Sequence, residues 1–393
     1  MTAWPIVALS EVADLNPRLR ANLDDDAVVS FLGMANVAED GTTTKGTERT
    51  YSEVKKGFTP FESGDILLAK ITPCFQNGKI VQAKVAHPYG FGSTEFHVIR
   101  SKDDQFDHRY GLHYLRQQHI RVDGERRMTG SGGQRRVPAD FLKALPVPLP
   151  PLPEQRRIAA ILDYVDTLRT KRREALAKLD ELTQSIFIQL FGDPATNPQQ
   201  LPVVTIGEML DSANYGTSEK SGATGKFPVL RMGNITYQGQ IDLTDLKYMD
   251  LEDAKVERFT VRAGDVVFNR TNSPDLVGKT AVYRGAEPLA YAGYLVRLRT
   301  KDDSAPEYIS AFLNSRYGKA VLRGICKSIV GMANINAREV QSIKIPQPAT
   351  AILSAFNERV AVVEQNKAQH RAALAELDDL FASIQSRAFR GEL

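Results

Sequence analysis

Cysteine is nearly absent: Cys74 and Cys326 are the only two in 393 residues, far apart and outside any metal-ligand spacing. That excludes a disulfide framework and points to a reducing, cytoplasmic setting. No apolar run is long enough to span a bilayer, so a membrane protein is not expected. The opening residues, MTAWPIVALSEV, have no basic stretch before their short apolar segment, which Pro5 interrupts, so no secretory or transit signal is expected. An excess of one charge is missing too. The net charge of +3 does not by itself announce a nucleic-acid binder. What is present is a globular composition, 42% apolar and 25% charged, in a chain longer than one core usually serves. Two or more domains follow.

Catalytic signatures are equally scarce. Val277-Gly278-Lys279-Thr280 resembles the end of a phosphate-binding loop, but Ser273 stands where that motif needs glycine. Gly130-Ser-Gly132-Gly133-Gln134-Arg135 lacks the last glycine of a dinucleotide fingerprint. His108, His113 and His119 fall on different faces of a helix, unlike a metal-binding i, i+4 pair. No nucleophile elbow is present, and no carboxylate spacing singles out an acid/base pair. The chain is not expected to be an enzyme, nor to hold a metal or cofactor of its own.

The stretch that organises the chain runs from Leu149 to Pro194. A proline cluster stops whatever precedes it, and Pro153 sits where a first helical turn tolerates proline. Ile158, Leu162, Val165, Leu176, Leu179, Ile186 and Leu190 then follow the spacing of a heptad seam. Gly192 and Pro194 end it. The pattern predicts one helix over Pro153–Leu190, about 38 residues and so roughly 57 Å. Lying between halves of similar size, it reads as a spacer.

The second half repeats the first. Gly64-Asp65-Ile66-Leu67 recurs as Gly264-Asp265-Val266-Val267, and Gly78-Lys79 as Gly278-Lys279. Lys102-Asp103-Asp104 recurs as Lys301-Asp302-Asp303, and Gly133 as Gly331. Shared order at a near-constant offset makes the repeat. The helix repeats as well: a shift of 198 carries the first seam onto Phe356, Val360, Val363, Leu374, Leu377 and Ile384, with Leu353 and Phe381 in the same series. Short apolar runs such as Asp65–Ala69 and Phe96–Ile99 read as strands, and Arg109–Ile120 as one amphipathic helix. The expected architecture is α+β. Globular domains at 1–148 and 196–347 alternate with long helices at 149–195 and 348–393. Neither helix can bury its seam alone, so the two are expected to pair as an antiparallel coiled coil with a pseudo-twofold axis.

Binding residues are better represented than catalytic ones. Lys70, Thr72, Gln76, Asn77 and Lys79 follow the first Gly-Asp strand. Asn269, Arg270, Asn272, Ser273 and Lys279 follow the second. A further pair of loops carries Gln134, Arg135 and Arg136 in one half, Asn334 and Asn336 in the other. Cations can hold phosphates, while Arg, Asn and Gln can pair with base edges. Matching loops with different residues are what two readers of different sequences require. Ordinary solvated turns are the alternative. Both seams also turn basic at the same two places, Arg169 and Arg172 in one, Lys367 and His370 in the other. Crowded like charges there would call for an acidic neighbour outside the chain, a partner protein or DNA phosphates.

The segment Pro146-Val-Pro-Leu-Pro-Pro-Leu-Pro-Glu-Gln-Arg-Arg-Ile158, the ending Phe191-Gly192-Asp193-Pro194 and the twofold repeat together resemble the specificity (S) subunits of Type I restriction–modification systems. The second junction, Ile345-Pro-Gln-Pro-Ala-Thr350, departs from the motif and lacks its Glu-Gln. The resemblance implies a non-catalytic targeting subunit. Each globule would read half of a bipartite site in double-stranded DNA, and the helix pair would fix the gap. Partners would be two adenine-N6 methyltransferase (M) subunits and restriction (R) subunits, with S-adenosylmethionine, ATP and Mg belonging to those partners. A coiled-coil scaffold that binds only protein is the competing reading.

Overall fold

The computed structural model describes residues 4–102, 105–131, 133–273, 276–329 and 332–393. Asp103, Asp104, Gly132 and Gly331, used in the readings above, lie outside them. The chain divides into two compact units, Met1–Lys171 with Leu374–Leu393, and Arg172–Ala373. The fold is α+β. Each unit combines a sheet-rich domain with one half of each long helix, Leu152–Phe191 and Thr350–Phe389.

Both sheet-rich domains have the same topology. In the first, an antiparallel sheet orders Ala13–Leu15, Phe96–Ser101, Ile66–Ala69 and Ile80–Gln82. A second sheet orders Thr47–Thr50, Val28–Leu32, Tyr89–Gly92 and Thr59–Glu62, with its two central strands parallel. The other domain repeats this with Leu210–Tyr215, Leu295–Thr300, Val266–Asn269 and Thr280–Val282, then Lys247–Met249, Phe227–Leu230, Leu289–Tyr291 and Thr260–Val261.

The central Gly-Asp strand shows why an unbroken apolar run was needed. Ile66 and Leu68 point into a core shared with the helices, while Leu67 and Ala69 enter a second core on the opposite face. Val266 and Phe268 are divided from Val267 in the same way. A strand buried on both faces cannot alternate apolar with polar residues. The preceding glycine takes a left-handed conformation, φ +103° at Gly64 and +90° at Gly264. The aspartate after it turns inward. Asp65 accepts two hydrogen bonds from Arg100, at 2.9 and 2.7 Å, and Asp265 accepts two from Arg299, at 2.8 and 2.9 Å. Each fork pairs a buried carboxylate with an opposite charge through two hydrogen bonds.

The segment Arg109–Ile120 is two helices, His108–Leu115 and Gln118–Arg126. Gln117 is extended, at φ −62° and ψ 138°, and breaks the helix, although the apolar pattern runs on across it. Ser315 makes the same break in the repeat, between Pro306–Asn314 and Arg316–Ile325.

In each unit the long-helix halves run antiparallel. Ile158, Leu162 and Val165 share a core with Phe381, Phe389 and Tyr110. Ile186, Phe187 and Phe191 share one with Phe356, Val360, Val363 and Phe312. The seam is therefore not a bare two-helix contact, because its outer turns are also roofed by the globular domains. Leu176, Leu179, Leu374, Leu377 and Ile384 are only half-buried.

The proline-rich junction owes its Gln to a buried turn. Gln155 is fully buried, donating to Gln105 O at 2.9 Å and Pro150 O at 2.8 Å while accepting from Asp107 N at 2.8 Å. The equivalent position of the departing junction, 198 residues on, is Leu353, also buried but in an apolar core.

Candidate nucleic-acid interface

In the first unit, the two loops read separately from sequence form one surface. Thr72 Oγ1 donates to Gly133 O at 2.7 Å and accepts from Arg135 N at 3.1 Å, while Thr72 N donates to Arg135 O at 2.9 Å. Val137 N donates to Lys70 O at 2.9 Å. Gln134 and Arg135 are exposed on this stitched rim, and Arg135 reaches back to Glu125 O and Met128 O, each at 3.2 Å. Arg136 forks onto Glu95, with Nη2–Oε1 at 2.7 Å and Nε–Oε2 at 3.0 Å. That hydrogen bonding outweighs burial and holds the Glu95 carboxyl below the usual range.

Three candidates are directed elsewhere. Asn77 donates to Glu39 at 2.6 Å, Lys79 to Met34 O at 3.4 Å, and Gln76 lies 3.5 Å from Glu125.

The second unit builds the same rim with other chemistry. Ile335 N donates to Arg270 O at 2.9 Å, the counterpart of the Val137–Lys70 bond. Thr271–Asn272 pairs with Met332–Asn334, which pairs in turn with Lys327–Ile329. Arg270 donates to Asn334 Oδ1 at 3.1 Å, with its guanidinium 4.9 Å from the centre of the Tyr215 ring. Ser273 and Asn334 are exposed and Asn272 half-exposed. Asn336 caps a helix, its side chain accepting from Glu339 N at 2.9 Å. Asn269 is fully buried. Lys279 is buried and donates to Met232 O at 3.1 Å. Neither presents a side chain on the rim.

Along the rod, two of the four basic positions, Arg169 and Lys367, meet acids supplied by the chain itself. Arg169 donates to Asp378 at 2.5 Å and Asp166 at 2.8 Å, with its guanidinium 4.5 Å from the centre of the Phe381 ring. Lys367 is buried between Asp180 at 2.9 Å and Glu364 at 3.0 Å. Arg172 donates to His370 Nδ1 at 3.0 Å, which leaves that imidazole nitrogen as an acceptor. The chain's own carboxylates thus answer Arg169 and Lys367, while the basic side chains of Arg172 and His370 face each other.

Among the described residues, no group of three or more His, Cys, Asp or Glu is placed to hold a metal ion, and no helix is long and apolar enough to cross a membrane. Residues 1–181 match the family model of the Type I restriction modification DNA specificity domain. The match takes in the first sheet-rich domain and most of the first long helix. Two curated relatives from Escherichia coli are specificity subunits of Type I restriction enzymes. That of EcoEI is 38% identical over 187 residues, covering 47% of this chain and 31% of the relative. That of EcoAI is 34% identical over 213 residues, covering 54% and 33%. The chain thus spans about a third of the length of these two relatives. A Type I system S subunit from M. genitalium has the same fold, with a TM-score of 0.58 over 98% of this chain and 96% of that one, at 15% identity.

Several residues around these rims escaped the sequence reading. Glu95, which holds Arg136, sits 41 residues away from it in the chain, and Tyr215, under Arg270, comes from another strand. Tyr294 and Tyr237 are about half-exposed. Their only sequence signal is position: Tyr294 precedes the strand paired with the Gly-Asp strand, as Glu95 does in the first unit.

Proposed function

We propose that this chain is the DNA sequence-specificity subunit of a Type I restriction–modification complex and has no catalytic activity of its own. Each recognition domain, at 1–148 and 196–347, reads one half of a bipartite site in double-stranded DNA. The helices at 149–195 and 348–393 set the gap and dock two adenine-N6 methyltransferase subunits, which restriction subunits join. S-adenosylmethionine, ATP and Mg act in those partners, in the cytoplasm.

One observation carries the reading. Equivalent backbone bonds, Val137 N to Lys70 O and Ile335 N to Arg270 O, hold two rims of one design whose side chains differ. Lys70, Thr72, Gln134, Arg135 and Arg136 stand on one; Arg270, Asn272, Ser273 and Asn334 on the other. Conserved backbone geometry with exchanged amide and cationic groups suits two half-sites of unlike sequence.

Methylome sequencing of a host expressing the chain with its methyltransferase partner tests this. The expected result is a bipartite, asymmetric motif with methyladenine in both halves. A continuous motif overturns the bipartite reading, and no motif leaves the protein-only scaffold as the better account.

A further inference from the structure

The repeat contains a natural charge exchange. In the first unit the Arg121 guanidinium lies over Gly78, next to Lys79. Two carboxylates accompany these cations: Glu39, bonded to Asn77, and Glu125, one turn along the helix from Arg121. A shift of 198 residues carries Arg121 to Lys319, Glu39 to Tyr237 and Glu125 to Arg323. Lys279 replaces Lys79 and keeps its bond, donating to Met232 O as Lys79 donates to Met34 O. At these positions, two cations and two anions in one unit become three cations and no anion in the other.

The second cluster is built into the fold. Lys319 donates to Gly278 O at 3.0 Å and lies 5.6 Å from the centre of the Tyr237 ring. Gly278 and Lys279 close the neck of the rim loop, Gly278 N donating to Asn269 O and Asn269 N to Lys279 O, both at 2.8 Å. Burial lowers the pKa of both lysines, and for Lys319 the neighbouring charges of Lys279 and Arg323 lower it further, to about 8. Among the described residues, no carboxylate acts on either lysine. Carbonyl oxygens satisfy their hydrogen bonds but do not neutralise them. Sequestered positive charge of this kind is costly unless an anion arrives.

We propose that Lys279, Lys319 and Arg323, bordered by Tyr237, form a phosphate-binding site in the second unit that the first unit does not have. The phosphate is a backbone phosphodiester of the DNA under the adjoining rim, so this assignment rests on the proposed function. The site anchors one half of the protein by a contact that carries no sequence information, at the neck of the loop bearing Arg270 and Asn272.

The test variant is Tyr237→Glu with Arg323→Glu in the full chain, which writes the first unit's own charge pattern into the second. Duplex binding is measured by fluorescence anisotropy at salt concentrations from about 50 to about 200 mM. Losing one phosphate contact makes the plot of log K against log salt shallower by about 0.9. Wild-type affinity weakens as pH rises through about 8, where Lys319 loses its proton, and Lys319→Arg, which keeps the charge, abolishes that dependence. Inorganic phosphate, against chloride at equal ionic strength, raises the Tm of the wild type but not of the double variant. A full wild-type salt slope in the double variant overturns the DNA assignment. If phosphate then still raises the wild-type Tm, the site takes a free anion; if it does not, there is no site. Wild-type protein that binds its methylated motif no better than random duplex refutes the proposed function instead.

Discussion

Arg169 donates to Asp378 at 2.5 Å, and the residues 198 positions away from each, Lys367 and Asp180, make the same contact at 2.9 Å with the helices exchanged. Asp166 and Glu364, also 198 apart, add a second carboxylate to each cation. The two contacts differ in burial. Lys367 is 2% exposed, whereas the Arg169 side chain is 16% exposed. Removing one partner of a buried pair costs about 3–5 kcal/mol, because the other charge stays behind. Lys367→Ala is expected near the lower end of that range, since the Asp180 side chain keeps 27% of its exposure, and Arg169→Ala at less than half of it. Denaturant unfolding checks the ranking; equal losses refute it.

Gln155 offers a second comparison within one chain. Three backbone groups depend on its buried side chain, so Gln155→Ala is expected to destabilise the first unit by about 2–3 kcal/mol. Gln155→Leu writes in the residue that Leu353 supplies in the repeat, yet should not rescue stability, because Asp107 N, Gln105 O and Pro150 O still lack partners. A Tm close to wild type for Gln155→Leu would show that water replaces the amide at little cost.

Acid should weaken the first unit through His113 and Asp163. Burial alone would raise the Asp163 carboxyl, but hydrogen bonds from His113 and Arg109 outweigh it and hold it well below the usual range. Burial lowers the His113 imidazole, and its Nδ1 has no hydrogen-bond partner. A depressed carboxyl contributes stability above its unfolded pKa, about 3.9, and loses it as pH falls through the folded value. A depressed imidazole acts in the same direction, since below about 6.5 the unfolded chain takes up the proton first. The Tm is therefore expected to fall in two stages on acidification, with Asp163→Asn removing the lower stage. An unchanged profile below about pH 4 in that variant would reject this assignment.

If the long helices set the gap, lengthening both by one heptad should widen it without touching either half-site. Seven residues inserted after Lys178 and again after Glu376 preserve the seam in each and add about 10 Å, about three base pairs. Methylome sequencing reads the outcome. Altered half-sites, or an unchanged gap, would refute the spacer role.

The sequence by itself determined the elements that depend on period and punctuation. The helix predicted over Pro153–Leu190 runs Leu152–Phe191, its copy Thr350–Phe389, and the Gly-Asp strands lie where their apolar runs placed them. Heptad spacing, proline and glycine act locally, so residue order displays them. Only the tertiary structure decided which polar residues face outward. Lys79 and Lys279 read as loop cations, yet each turns inward to a carbonyl, and Asn269 lies buried at a loop neck. Gln117 broke a helix whose apolar pattern continues through it. Arg169 and Lys367 found their acids on the opposite helix, 209 residues away for Arg169. For the two lysines and the rod cations the deciding partner is remote in the chain, and an ion pair or buried hydrogen bond leaves no periodic trace in the order of residues.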